Sequence, residues 1–290
     1  MFVAFVFIPL VAGNVFMESS IRRVPEITER QDWSKKTYML FDPCNTNKPG
    51  NRTVSCSQIK MRERSSKQIK HTIYPRDKSV EVDCDMETDG GGWTVIQRRT
   101  EYEVTNDKFE KEFEDYERGF RTRAGRALWI GLENLHALTS FPNNQQALRI
   151  ELKTKGAKET TVLLYHKFLV GSKEEHYKLT IDEYEGPERH NALSYHNGEK
   201  FTTKKSMIEA PDRDECSGGT LSGGWWFKRC NKANLNGRNF KHPSSIRGLG
   251  ITWHINGKDD SYNYIYESVE MKIRNNDFGF CTGAFKYKQN

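Results

Sequence analysis

The sequence predicts an α+β fold with one sheet, a few short helices and a loop-rich C-terminal part. Three observations carry this reading. Leu148, Ile150 and Leu152 alternate with polar residues, and Val269, Met271 and Ile273 do so again near the C-terminus, the period of a half-buried strand. Phe109, Phe113, Tyr116 and Phe120 stand at i, i+4, i+7 and i+11, the period of one helical face. From about 186 to 258 both periods fade, and Gly, Asn, Trp and short turns take over.

In chain order, MFVAFVFIPLVAG at residues 1–13 is an apolar run too short to span a bilayer and suited to a signal-peptide core. Val11 and Gly13 fit a cleavage site, which gives a mature chain from about Asn14 and an expectation of secretion. Residues 14–41 hold few apolar residues in any period and read as a flexible lead-in, with no heptads and no Gly-X-Y repeat. A folded domain is expected over 42–290. EVDCDM and WTVIQRR read as strands around TDGGG, whose glycines permit a tight turn. The periodic aromatics predict a helix over 106–120, and a second fits Leu132 to Leu138. ALRIELKT, TTVLLYHKFLVG and HYKLTIDEY follow as strands, and SVEMKIR is a late strand that returns the chain to the same sheet. A long irregular region inside a compact domain is a functional site or a disordered one. Trp225, Trp226, Phe227 and Trp253 argue for order, because side chains of that size need a core to bury them.

Composition narrows the function. The formal net charge of +6 is spread thinly and no basic block exists to grip nucleic acid. No other segment approaches the length of a membrane span. The six cysteines, at 44, 56, 84, 216, 230 and 281, avoid CxxC and zinc-ligand spacings, so in an oxidising compartment they read as three disulfides whose pairing the spacing does not choose. Asn51-Arg52-Thr53 is a glycosylation sequon in a Pro/Gly/Asn-rich loop. Scattered histidines, no nucleophile elbow and no supported carboxylate pair give no catalytic constellation, so the protein reads as a non-enzyme.

Five blocks together carry a family resemblance. CDMETDGGGWTVIQRR at 84–99, ALWIGLENLHALT at 127–139, YHNGEKFTT at 195–203, GGWWFKRCNKANLNG at 223–237 and EMKIR at 270–274 resemble the fibrinogen-related, or fibrinogen C-terminal, domain in order and spacing. Without a collagen or coiled-coil stretch the chain is most similar to invertebrate lectins of the tachylectin-5 type. The resemblance implies a central, mostly antiparallel sheet and a loop-rich C-terminal subdomain. It also implies disulfides Cys56–Cys84 and Cys216–Cys230. Cys44 would then join Cys281 within the chain, or link copies of a homo-oligomer.

Two sites follow from the same resemblance. One is a calcium loop of alternating carboxylates after the Phe-Thr-Thr block. Here Lys205 and Met207 occupy the first two expected ligand positions, and Asp212 and Asp214 alternate just before Cys216. Calcium takes six to eight oxygens in tolerant geometry, so these two aspartates are either a rebuilt site or a solvated acidic turn. The other is a pocket for acetylated sugars around the second cysteine, where a peptide bond that is often cis aims backbone N–H groups at an acetyl oxygen. Its candidates are Arg229, Cys230, Asn231, Leu221, His254, Tyr262 and Tyr264. Leu221 stands where the family commonly has an aromatic, and Asn231 where it often has His. The expectation is a secreted lectin for acetylated glycans in innate immune recognition. The alternative is a protein-binding module, such as a receptor ligand or a haemostasis-related factor, with a lapsed sugar pocket.

Overall fold

The computed structural model describes residues 27–32, 35–40, 52–103, 109–122, 127–141, 144–203, 213–214, 219–244 and 246–282. The chain divides into two units, Met1–Asp42 and Pro43–Asn290. In the first, Ile27–Asp32 pairs antiparallel with Lys35–Leu40, Ile27 opposite Leu40 and Asp32 opposite Lys35. This ladder lies within the 14–41 stretch that the sequence reads as a flexible lead-in. A two-stranded ladder pairs backbone groups and needs no apolar period, so composition does not register it.

The second unit is built on a nine-stranded sheet. Seven strands run in the spatial order Leu179–Glu185, Thr161–Val170, Gln146–Thr154, Tyr266–Asn275, Trp93–Thr100, Val80–Asp85 and Lys70–Ile73, every neighbouring pair antiparallel. Phe120–Arg121 and Leu128–Trp129 add a short extension beside Trp93–Thr100. The last strand in sequence returns to the sheet, as the late alternation of Val269, Met271 and Ile273 predicts, and takes the central place in it, with all three buried. Gly90, Gly91 and Gly92 each take positive φ in the turn before Trp93, and a Cβ on Gly91 would run into the Met86 carbonyl.

Cys56–Arg62 begins where the Ser55 hydroxyl accepts the Gln58 N–H, while the Gln58 amide oxygen accepts the Val54 N–H. The Cys56–Cys84 disulfide ties this helix to Val80–Asp85, the pairing that the resemblance implies. Cys230 and Cys281 are each disulfide-bonded, and their expected partners Cys216 and Cys44, with Asn51, lie outside the described residues. Leu132–Thr139 forms the second expected helix. The helix expected over 106–120 is shorter, Phe113–Arg118, and Phe120 already belongs to a strand. Gly119 stops it at φ 86, where the Ile130 carbonyl leaves no space for a Cβ. The aromatic period survives for another reason. Phe109, Tyr116 and Phe120 meet edge to face, with Phe120 centroids 5.0 and 5.3 Å from the other two.

That cluster continues through Trp129 and Phe201 to Trp226 and Trp225. The tryptophans of the irregular region are thus core. They pin a stretch whose strands among the described residues are two-residue ladders, Thr202–Thr203 with Gly224–Trp225, Arg213–Asp214 with Gly219–Thr220 and Ala233–Asn234 with Thr252–Trp253, beside a short 3-10 helix at Leu193–His196. No helix among the described residues is long and apolar enough to cross a membrane.

A buried charge on the central strand gathers acids around it. Lys272, 1% exposed, reaches Asp85 at 2.7 Å, Glu151 at 2.9 Å and Glu270 at 3.3 Å. Burial alone would raise the Asp85 pKa, but the Lys272 ammonium and the N–H groups of Thr88 and Glu87 hold it well below the ordinary carboxylate range. Burial also acts against the Glu151 carboxylate, which Arg149 and Lys272 nevertheless hold below its ordinary value. A depressed folded-state pKa gives stability that is present above about pH 4 and lost as pH falls below it. Lys272→Met strands these carboxylates and is expected to cost about 3–5 kcal/mol at pH 7. Urea unfolding should show the gap from wild type narrowing toward pH 2; a gap independent of pH would contradict the assignment.

Candidate functional site

The irregular region is fastened to the sheet by side chains of Trp93–Thr100. Gln97 Nε2 donates to the Leu235 carbonyl at 2.9 Å and to Asn236 Oδ1 at 3.3 Å. Arg99 Nη1 donates to the Leu235 and Gly237 carbonyls at 3.1 and 2.8 Å, while Glu103 accepts from its Nε at 2.9 Å. The asparagines complete the frame, as the Asn-Leu-Asn-Gly run suggests: Asn234 Nδ2 donates to the Ser222 carbonyl and Asn236 Nδ2 to that of Gly224.

On this frame stands the turn of the second cysteine. Cys230 is disulfide-bonded and has φ 56, a left-handed conformation that costs a side-chain-bearing residue energy unless its surroundings impose it. The described residues contain no cis peptide bond. The bracing comes from YHNGEK. The Tyr195 hydroxyl donates to the Arg229 carbonyl at 2.8 Å. His196, fully buried, donates from Nδ1 to the Trp226 carbonyl at 2.7 Å and accepts at Nε2 from the Ala233 and Lys232 N–H groups at 3.0 and 3.3 Å. One ring therefore locks the backbone on both sides of Cys230. Burial pushes its pKa down to about 4, with the charges of Lys228 and Lys232 acting in the same sense. The ring is neutral at physiological pH, the form that can both donate and accept. Asn231, 2% exposed, donates from Nδ2 to the Ala233 carbonyl, and its buried Oδ1 has no partner.

A second wall comes from Trp253 to Tyr264. The His254 N–H donates to the Lys232 carbonyl at 2.8 Å, which ties this wall to the cysteine turn. Tyr262 stacks on His254 with centroids 4.6 Å apart, and the Arg247 guanidinium lies 3.8 Å over the other ring partner, Tyr262. Burial first, then the charges of Lys232 and Arg247, lower the His254 pKa against the pull of Asp259. Its Nδ1 is buried without a partner. Arg189, Asn191, Ala192, Lys232, His254 and Asn256 line a cleft of about 210 Å³.

The expected residues are thus divided. Arg229, Cys230 and Asn231 share one turn, and His254 joins them through Lys232. Tyr262 and Tyr264 line a separate space of about 10 Å³, room for a water. Leu221, 4% exposed, belongs to the core. Tyr264 donates its hydroxyl to Asp260 at 3.3 Å. The sequence singled out neither His196 as a brace nor Arg189 and Lys232 as cleft cations. His196 stands in a recognised block, but its partners lie about 30 residues away, and sequence spacing carries no sign of such a contact.

The sequence profile described as "Fibrinogen beta and gamma chains, C-terminal globular domain" matches residues 53–276. The chain belongs to this fibrinogen C-terminal family. It is 36% identical over 211 residues to Ryncolin-4 of Cerberus rynchops, covering 70% of this chain and 56% of that one. Over 200 residues it is 36% identical to Techylectin-5A of Tachypleus tridentatus, covering 69% and 65%. Human Tenascin-N is 37% identical over 229 residues, 76% of this chain and 16% of its own. The chain therefore spans less than two thirds of each of these relatives. The fibrinogen-like globe domain of human ANGPTL2 superposes with a TM-score of 0.65 at 28% identity, covering 77% of this chain and 99% of that domain. The corresponding domain of human ANGPTL6 gives 0.62 at 26%, covering 78% and 98%.

Fibrinogen-related domains are non-catalytic binding modules, and this one is a lectin-like or related binding domain. On calcium, Asp212 lies outside the described residues, and Asp214 sits in a two-residue ladder with Gly219–Thr220. Among the described residues no group of three His, Cys, Asp or Glu could hold a metal ion.

The neutral His196 generates a test. Its folded-state pKa lies below the unfolded value of about 6.5, so its stability is fully present above that value and lost as pH falls toward 4. Chemical unfolding should show wild type losing on the order of 3 kcal/mol across this window from this group. His196→Asn should be less stable at pH 7 and lack that part of the slope. An unchanged slope would show that His196 is not the buried neutral group.

Proposed function

We propose that the chain is a secreted carbohydrate-binding protein that recognises acetylated glycans, with a role in innate immune recognition. The observation that supports this best is the Cys230 turn. Left-handed, disulfide-bonded and braced by Tyr195 and His196, it holds backbone donors in one geometry before a ligand arrives, and preorganised donors lose little entropy on binding. Arg229 is exposed there, and Asn231 places an uncommitted amide oxygen beside it. Membership of the family and the likeness to Techylectin-5A support the same reading.

A second reading, a module for a protein receptor, draws on the burial of Leu221 and of Tyr262, which is 5% exposed. A sugar face stacks on exposed aromatic surface, and these two residues offer none.

N-acetylglucosamine resin separates the readings. Retention of the full secreted chain with elution by free sugar supports the lectin. Asn231→Ala should weaken retention by about ten-fold, as expected for loss of a hydrogen-bonding group and its local brace, and Asp212→Ala should not change it. Release by EDTA would instead assign calcium to Asp212 and Asp214. Absence of retention with and without calcium would move the function to a protein partner.

A further inference from the structure

Most cations that line clefts of this domain are already committed to acids. Lys78 pairs with Glu133 at 3.2 Å, Arg118 with Asp115 at 3.2 Å, Arg121 with Asp83 at 2.9 Å and Lys173 with Glu117 at 2.8 Å. The cleft of about 210 Å³ beside the cysteine turn differs. Its lining contains Arg189 and Lys232 and no Asp or Glu. Neither cation forms an ion pair among the described residues; Lys232 Nζ has only the Tyr195 ring, 4.7 Å away.

The other lining groups are also set to donate. Asn191 Oδ1 accepts the Tyr165 hydroxyl at 3.0 Å, which leaves the Asn191 Nδ2 hydrogens uncommitted. His254 Nδ1 is buried without a partner. The Asn256 N–H donates to the Arg189 carbonyl at 2.9 Å and so joins the two walls, with Arg189 held at φ 69. The acids that face this group are Asp259, which acts on His254, and the exposed Glu188 beside Arg189; Arg247 adds a further positive charge behind His254. Cations outnumber acids around the cleft.

We propose that this cleft is a subsite for the carboxylate of an acidic sugar, next to the acetylated residue held at the Cys230 turn. This rests on the carbohydrate reading above. A guanidinium fork and an ammonium give charge-assisted bonds to a carboxylate, and the amide and imidazole nitrogens supply donors for its neighbouring hydroxyls. The volume lies below the ~300–1,000 Å³ of sites for drug-sized ligands, which suits one sugar residue. The Lys232 backbone connects this cleft to the cysteine turn through His196 and His254, so the two subsites are presented as one rigid unit.

Two disaccharides test this by calorimetry on the full secreted chain: glucosyl-N-acetylglucosamine and glucuronosyl-N-acetylglucosamine, which share the acetyl group and differ only by the carboxylate at C6 of the second sugar. The acidic probe should bind roughly ten-fold tighter, the size of one charge-assisted bond, and the gain should shrink as NaCl is raised. Arg189→Gln should remove most of that gain and leave the neutral probe bound as in wild type, and Lys232→Gln should also remove most of the gain. Equal affinity for the two probes, or a gain that survives both substitutions, overturns the subsite while the acetyl pocket stands. If neither probe binds, the carbohydrate reading itself fails and the subsite falls with it.

Discussion

The constraint on which the rest depends is the placing of a buried cation, Arg99, beneath a loop that has almost no regular structure. Carbonyls buried away from water cost about 1–3 kcal/mol each when unpaired. A stretch without long ladders must therefore find partners elsewhere. Arg99 and Gln97 supply them from the sheet, reaching the carbonyls of Leu235 and Gly237. Glu103 neutralises the guanidinium, at 2.8 Å in a pair with both side chains almost fully buried. A buried pair of this kind adds little net stability over an apolar pair, but losing one member is costly. What it supplies here is position: the loop can sit at one height and one register above the sheet.

The turn at Cys230 inherits that position. From Leu235 the chain runs back through the asparagine frame to Cys230, and His196 holds the backbone on either side of the cysteine. Because His196 must be neutral to donate and accept at once, its depressed pKa is part of the geometry. Lys228 and Lys232 help keep it neutral while contributing positive potential at the surface. Around them, the unpaired Asn231 Oδ1 and His254 Nδ1 are the groups a packed core would normally have satisfied.

Legibility in the sequence followed the range of the interactions. Alternation over 148–152 and 269–273 reported strands correctly because each side chain answers to its own sheet face. The periodic aromatics over 109–120 reported a helix that is real only over Phe113–Arg118, because Phe109 and Phe120 reach the same cluster from non-helical backbone on either side. Tyr262 and Leu221 read as pocket aromatics and wall, and the fold buries both. The family blocks pointed to the cysteine turn. The brace from His196 and the anchorage from Arg99 join positions from about 35 to almost 140 residues apart, and no local pattern encodes such contacts. Lys272 shares a strand face with Glu270 and Arg274, and no local pattern marks its partners Asp85 and Glu151 on other strands.

Hydrogen exchange tests the central claim, that the sheet's buried donors hold the irregular loop rigid. In wild type, amides from Leu235 to Arg238 should exchange on the slow scale of Tyr266–Asn275. In Arg99→Met they should lose protection, while Gln146–Thr154 and Thr161–Val170 keep theirs. Fast exchange of the loop in wild type, or a loop as protected in the variant as before, would contradict the account.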